Sequence, residues 1–341
     1  MRTLRFAVLG AGFWSQFQLA AWRELRGARC VALYNRSRNK AEDLAQRFGI
    51  PSVYDDPETL LSSERLDFVD IITSADTHAY FTTLAARRGL PVICQKPMAP
   101  TLAAARSMAA VCRKAEVLLL IHENWRWQTP IRAVKRVLDS DRLGSLIRAR
   151  IDYAHSFPVF DNQPSLRDLD QFILTDIGTH ILDVARFLFG EASELYCQTR
   201  RIHPNIRGED VATVMLRMKD SVTVACNMSY ASRWDLDRFP ETFIAVEGAR
   251  GGLSLGPDYT LRVVSEHETV ERRVPPPSWP WADPAYAVVH ASIVDCCRNL
   301  LRALQCRASA ETTAEDNLKT LQLVFQSYHS AASGRAMRIS S

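Results

Sequence analysis

The chain has 341 residues, 47% of them hydrophobic and 23% charged, the balance of a globular protein with enough length for two cores. Its 42 basic and 38 acidic side chains leave a formal charge of +4. The basic residues are spread along the sequence, which argues against a nucleic-acid partner, and no apolar run reaches the length of a membrane span.

The first half alternates short apolar runs with helical patterns. Residues 4–9 (LRFAVL) read as a strand that runs straight into glycines, and a helix pattern follows over about 14–26. A second strand at 30–34 precedes a helix that ends at Gly49, a residue suited to the left-handed position after a last turn. Strands at 67–73, 91–94 and 116–121, with helices at 77–89 and 101–113, continue the alternation. Strands this short, separated by helices of ten or more residues, predict a parallel sheet with right-handed crossovers, covered on both faces.

The pattern changes near residue 123. A helix at 129–138 leads to a long strand at 145–156 and a helix over 171–188. Strands are then predicted at 193–202, 210–217, 221–230, 241–247 and 259–275, followed by a Pro-rich loop at 275–284 and helices at 285–304 and 312–332. The fold class expected is α/β: a dinucleotide-binding domain over 1–123, then an α+β domain over 124–341 with an open, mainly antiparallel sheet. Cys30, Cys94 and Cys226 lie in apolar runs, Cys296 and Cys297 sit in a helical pattern, and no C-x2-C pair occurs. Reduced thiols in a cytoplasmic protein are expected, without a disulfide framework. The start MRTLRFAVLG reads as a first strand, not a signal peptide.

Four stretches carry chemistry. GAGFWS (10–15) stands between the first strand and first helix, where Gly10 permits a tight turn and Gly12 lets backbone approach a pyrophosphate; Phe13 and Trp14 complete that turn. The third position of the fingerprint is Ser15 instead of glycine or alanine. At the end of strand 2, Asn35 and Arg36 stand where an acid would hold the adenosine ribose of NAD. Asparagine accepts a hydroxyl without repelling a phosphate, and arginine pairs with phosphate, so both NAD and NADP stay open. Lys96, in VICQKP, follows an apolar strand and so lies at the carboxyl edge of the sheet; Pro97 restricts the backbone there, and the sequence leaves its isomer open. In TDIGTHILD, Asp176 and His180 are four apart on one predicted helix face, an arrangement suited to acid–base work. No spacing supplies further ligands, so no metal is expected.

With these motifs in view, the chain resembles, over nearly its whole length, the glucose–fructose oxidoreductase / inositol dehydrogenase / rhizopine catabolism family (Gfo/Idh/MocA) of NAD(P)-dependent oxidoreductases. QKP at 95–97 matches the family's E-K-P, and DIGTH at 176–180 its Asp-x-x-x-His helix. ITSADTH (72–78) matches the nicotinamide-side loop, with Thr73, Ser74 and His78. The resemblance implies that Lys96 bonds the reacting hydroxyl and the nicotinamide ribose, that His180 takes the hydroxyl proton, and that Asp176 orients the substrate. Gln95, beside the cofactor site, departs from the family's acid and loses its charge. HENWRWQTP (122–130) resembles the interdomain stretch, with Glu123 and Asn124 facing the substrate and Trp125 and Trp127 as packing residues. FDNQP with DQFILTDIGTH resembles the members that oxidise free aldoses, the apiose type among them. A homo-oligomer, dimer or tetramer, is expected to form through the open sheet, because an α+β domain with helices on one side leaves the other sheet face needing a partner. Inositol or other polyol dehydrogenases, and a regulatory protein that binds NAD(P) without turnover, are the competing expectations.

Overall fold

The computed structural model describes residues 2–233, 239–306 and 308–339. The chain divides into two units: Met1–Asn124 with Trp279–Ala282 and Ile293–Lys319, and Trp125–Ser278 with Asp283–Ser292 and Thr320–Ser341.

Six parallel strands form the sheet of the first unit: β1 (Leu4–Leu9), β2 (Ala28–Tyr34), β3 (Ser52–Tyr54), β4 (Phe68–Ile71), β5 (Val92–Gln95) and β6 (Leu119–His122). Their order, β3-β2-β1-β4-β5-β6, reverses direction between β1 and β4. In such a sheet the crevice outside the carboxyl ends at that point is where ligands bind. The strands are apolar because helices cover both faces; all four residues of β4, β5 and β6 are buried. Phe6 stacks on Phe68 with centroids 4.8 Å apart, and Trp22 leans against both.

The sheet of the second unit has nine strands. They are β7 (Leu146–Ala154), β8 (Ala192–Arg200), β9 (Val211–Met218), β10 (Thr223–Ser229), β11 (Phe243–Gly248), β12 (Gly251–Gly256), β13 (Thr260–Ser265), β14 (Thr269–Arg273) and β15 (Met337–Arg338). The order is β14-β13-β12-β11-β7-β10-β9-β8-β15, antiparallel throughout except for the β7–β10 pair. In β9 burial alternates strictly, with Ala212, Val214, Leu216 and Met218 inward and Met215 half exposed on the other face. The helix Gly178–Phe189 buries eleven of its twelve residues.

Two expectations need correction, and three elements go unread. The helix over 171–188 is two segments, Ile173–Asp176 and Gly178–Phe189. Thr179 Oγ1 donates to the Asp176 carbonyl at 2.9 Å while the His180 N–H goes to Ile177, three residues back, so the regular ladder is interrupted. The single strand over 259–275 is the β13–β14 hairpin, because Ser265 and Glu268 close a turn through both backbone and hydroxyl bonds. β12, a Gly-rich strand, and the segments β3 and Pro57–Ser63 carry too few apolar residues to be read as elements. Residues 293–319 group with the first unit. Thr312 exchanges bonds of 2.7 and 2.8 Å with the Ile121 backbone, and Cys297 Sγ lies 3.5 Å from His122 Nε2. Helical periodicity announces an apolar face without saying which core it meets.

The cysteines are free thiols. Among the described residues no helix is long and apolar enough to cross a membrane, and no group of three or more His, Cys, Asp or Glu is placed to hold a metal ion.

Candidate active site

Loops after β1, β2, β4, β5 and β6 carry the first unit's predicted residues, so the parallel sheet alone brings Gly10–Trp14, Asn35–Arg36, Thr73–Ser74, Gln95–Lys96 and Asn124 to one edge. Gly10 has φ +118°, and a Cβ there would lie 2.7 Å from the Ile72 carbonyl oxygen, so only glycine fits this turn. A Cβ on Gly12 would meet nothing within 4 Å, which leaves the backbone open to close approach by a pyrophosphate. Ser15 is fully buried and donates its hydroxyl to the Gly10 carbonyl at 2.9 Å. The third fingerprint position thus braces the turn instead of weakening it. Phe13 is 44% exposed beside Gly12, while Trp14 packs edge-on against Phe17.

Asn35 is used internally. Its Oδ1 accepts the Ala11 N–H at 3.1 Å and its Nδ2 donates to the Ser37 carbonyl at 3.0 Å, tying the glycine turn to the loop after β2. Arg36 beside it is exposed, and Arg38, the first residue of the helix Arg38–Phe48, pairs with Glu42 at 2.8 Å and with Asp55 at 3.8 Å.

The Lys96–Pro97 peptide is cis. His78 is 1% exposed and links two loops: Nδ1 faces the carbonyls of Pro97 (3.1 Å) and Met98 (3.3 Å), and Nε2 faces that of Thr73 (3.1 Å). Burial lowers its pKa, and the carbonyls oppose that shift. Its place is between the Thr73 and Lys96 loops, as a brace for both. Thr77 Oγ1 completes the Thr73 loop, donating to Thr73 Oγ1 at 2.8 Å. Gln95 Oε1 accepts the Lys96 N–H at 2.8 Å, and Gln95 Nε2 donates to Gln18 at 2.9 Å. Gln18 in turn donates to Asp70, a wholly buried carboxyl pushed up to about 7 by burial, against the pull of its Trp22 and Gln18 donors.

Asp176 and His180 belong to the second unit. The His180 ring is 4% exposed and lies flat on Trp125, with centroids 4.5 Å apart and planes within 5°. The Tyr230 hydroxyl donates to Asp176 Oδ2 at 3.2 Å, and burial first, then the Asp176 charge, push the Tyr230 phenol well above its usual range. Beneath the helix, Arg126 grips Asp183 through two bonds of 2.8 and 2.6 Å, and Thr320 Oγ1 adds a third at 3.1 Å. Glu209 accepts the Phe172 and Leu174 N–H groups, each at 3.2 Å, and the Tyr328 hydroxyl at 2.7 Å, fixing the start of the segment that ends in Asp176. Tyr230, Glu209, Gln18 and Asp70 escape the sequence reading because their partners lie 35 to 54 positions away or more, on other elements, with no motif of their own.

A 3-2-1-4-5-6 parallel sheet with a glycine turn at its reversal, joined to a mixed-sheet unit bearing Asp176 and His180 on successive helical segments, is the build of a nicotinamide-dependent oxidoreductase. Residues 4–123 match the oxidoreductase family, NAD-binding Rossmann fold, and residues 131–254 match the GFO/IDH/MocA C-terminal domain. The chain belongs to the GFO/IDH/MocA family, and its first unit is a binding domain for NAD(H) or NADP(H). It is 41% identical to a D-apiose dehydrogenase of Paraburkholderia graminis, over 100% of this chain and 91% of that one. A D-apiose dehydrogenase of Rhizobium rhizogenes is 36% identical, over 99% and 98%. Among solved structures, an oxidoreductase from Agrobacterium radiobacter in complex with NAD+, L-tartaric acid and magnesium superposes with a TM-score of 0.96 at 36% identity, covering 98% of each chain.

Proposed function

We propose that the protein oxidises the anomeric carbon of a free aldose, D-apiose in particular, to the lactone, with NAD+ or NADP+ as oxidant. The observation that carries this reading is the 41% identity with a D-apiose dehydrogenase across the whole chain, which takes in both the Lys96 and the His180 motifs. The open backbone at Gly12 and the helix that begins at Ser15 support a pyrophosphate at Gly10–Phe13. When bound, the nicotinamide supplies the hydride acceptor.

In this mechanism the chain's own residues handle the proton and the oxygen. As the C1–H bond gives up its electron pair, the hydroxyl O–H breaks, its proton passes to a ring nitrogen of His180, and the C=O bond forms. Lys96 donates to that oxygen and stabilises its charge as carbonyl character develops. Asp176, held by the Tyr230 hydroxyl, orients the sugar, and Asn124 contributes a further polar contact. Stacking on Trp125 limits the ways the His180 ring can turn. Initial rates of NAD+ and NADP+ reduction across aldoses, inositols and other polyols test the reading. D-Apiose is expected to give the highest kcat/KM; an inositol in that place would shift the substrate class, and inertness towards the whole panel would favour a regulatory NAD(P)-binding protein.

Arg36 is the residue proposed to meet a 2′-phosphate. Arg36→Ala should then weaken NADP by about 1.5–3 kcal/mol, the worth of one charged hydrogen bond, and leave NAD nearly unchanged. Equal effects on both cofactors in a titration would return Arg36 to the role of a solvated turn residue. Self-association as a dimer or tetramer is proposed to use the outer face of the nine-stranded sheet, where Met215 is 50% and Val264 41% exposed. A monomer in light scattering at micromolar concentration would contradict it.

A further inference from the structure

The residue before Lys96 is an amide, and the reason lies two side chains away. Asp70 is wholly buried at the third residue of β4. An ionised carboxylate can only accept hydrogen bonds, while a primary amide has one accepting and one donating end. The Gln18 amide nitrogen lies 2.8 Å from both Asp70 oxygens, and Trp22 Nε1 donates to Oδ2 at 2.7 Å. With its nitrogen committed to Asp70, Gln18 must turn its oxygen the other way. That oxygen needs a donor, and the Gln95 amide nitrogen supplies it at 2.9 Å. Gln95 therefore presents its own oxygen to the Lys96 N–H, 2.8 Å away. Gln18 is fully buried and Gln95 8% exposed, so reversing either amide would bring like ends together where water offers little compensation.

We infer that Asp70, Gln18 and Gln95 form a directional hydrogen-bond chain in which Asp70 sets the orientation of both amides and thereby positions the backbone of Lys96. The inference rests on the proposed role of Lys96 for its bearing on catalysis, while the chain itself stands on the geometry. Gln95 is not a neutral stand-in for an acid. With Asp70 ionised, a carboxylate at position 95 would face the Gln18 oxygen with nothing to donate, and turning the Gln18 amide to meet it would take its NH2 away from Asp70.

This logic makes the chain reversible. In the double variant Asp70→Asn with Gln95→Glu, the new amide at position 70 takes the Trp22 N–H on its oxygen and donates from its nitrogen to Gln18 Oε1. The Gln18 nitrogen then donates to the new carboxylate at position 95, whose second oxygen accepts the Lys96 N–H. Every link of the chain is kept, those between positions 70, 18 and 95 with their direction inverted and the two-oxygen contact at position 70 reduced to one bond, and one buried carboxylate has moved from position 70 to position 95.

The test measures wild type, both single variants and the double variant at about pH 8.5, where Asp70 is ionised. Melting temperature reads the chain without reference to catalysis, and kcat reads the position of Lys96. Gln95→Glu is expected to lower both, with a kcat loss of about 10- to 100-fold from misplacement of the lysine. The double variant is expected to melt at least about 3 °C above the sum of the single effects, and to recover kcat to within about threefold. A double variant that fails to fold when Gln95→Glu also fails, or melts at the additive value, would overturn the inference. Lys96→Ala, assayed beside them, separates the two ideas: near-normal turnover there refutes the catalytic role of Lys96, whereas only additivity in melting temperature refutes the chain.

Discussion

His180→Ala is expected to lower turnover by about 10²–10⁴-fold, the usual contribution of a positioned general base, while cofactor affinity stays nearly unchanged. An alcohol does not lose its proton readily, so hydride departure needs a base next to the hydroxyl. Imidazole suits the task because its ordinary pKa lies near neutrality. The ring is held flat against Trp125 at 4.5 Å, so little freedom is lost when it meets the substrate. His180 belongs to the second unit and the loops proposed to hold the dinucleotide belong to the first, which is why binding should survive the change. Steady-state turnover combined with cofactor titration checks both halves. A variant that retains turnover would remove His180 from the mechanism and move the proton to another group.

Asp183→Ala should destabilise the protein by about 3–5 kcal/mol, because it removes one partner of a buried ion pair. The Arg126 side chain is 6% exposed and Asp183 is completely buried, joined by two short charge-assisted bonds. Arg186 lies against the same group, donating to Thr320 Oγ1 at 2.8 Å, which itself donates to Asp183. Removing the carboxylate breaks the Arg126 pair where both partners are buried, while Arg186 keeps its two bonds to Glu191 at 3.1 and 2.9 Å. The loss should appear in denaturant unfolding as a lower midpoint. Turnover should fall as well, since Asp183 lies one turn along the helix that carries His180. A loss below about 1 kcal/mol would mean that the pair is as weak as an exposed salt bridge.

Much of the first unit is legible in the sequence because each βα unit repeats one signal: a short apolar run, a turn, then an amphipathic helix. Gly10 and Lys96 can be placed from that signal alone, since any residue just past a parallel strand reaches the same edge. The second unit is less legible. Its strands pair through hairpins whose registers depend on turns such as Ser265–Glu268, and its Gly-rich strand β12 offers few apolar residues to read. Spacing places Asp176 and His180 on one helix; the break at Ile177, beside which the Thr179 hydroxyl bonds the Asp176 carbonyl, is not revealed by periodicity. Gln95 is the clearest case. Read beside its neighbours in sequence it is an acid that lost its charge, and only the fold brings Asp70 and Gln18 to it and makes the amide necessary.

The central claim is that hydride leaves the anomeric carbon of a free sugar in a step whose proton and oxygen are managed by His180 and Lys96. Its most direct test uses D-apiose carrying deuterium at C1, incubated with the protein and its preferred oxidised cofactor, followed by mass spectrometry of the nicotinamide and the sugar product. The expected result is reduced cofactor bearing one deuterium, formed in equal amount with unlabelled lactone, and absent when His180 and Lys96 are both replaced by alanine. Reduced cofactor without the label, or label transfer that persists undiminished in the double-alanine variant, would contradict it.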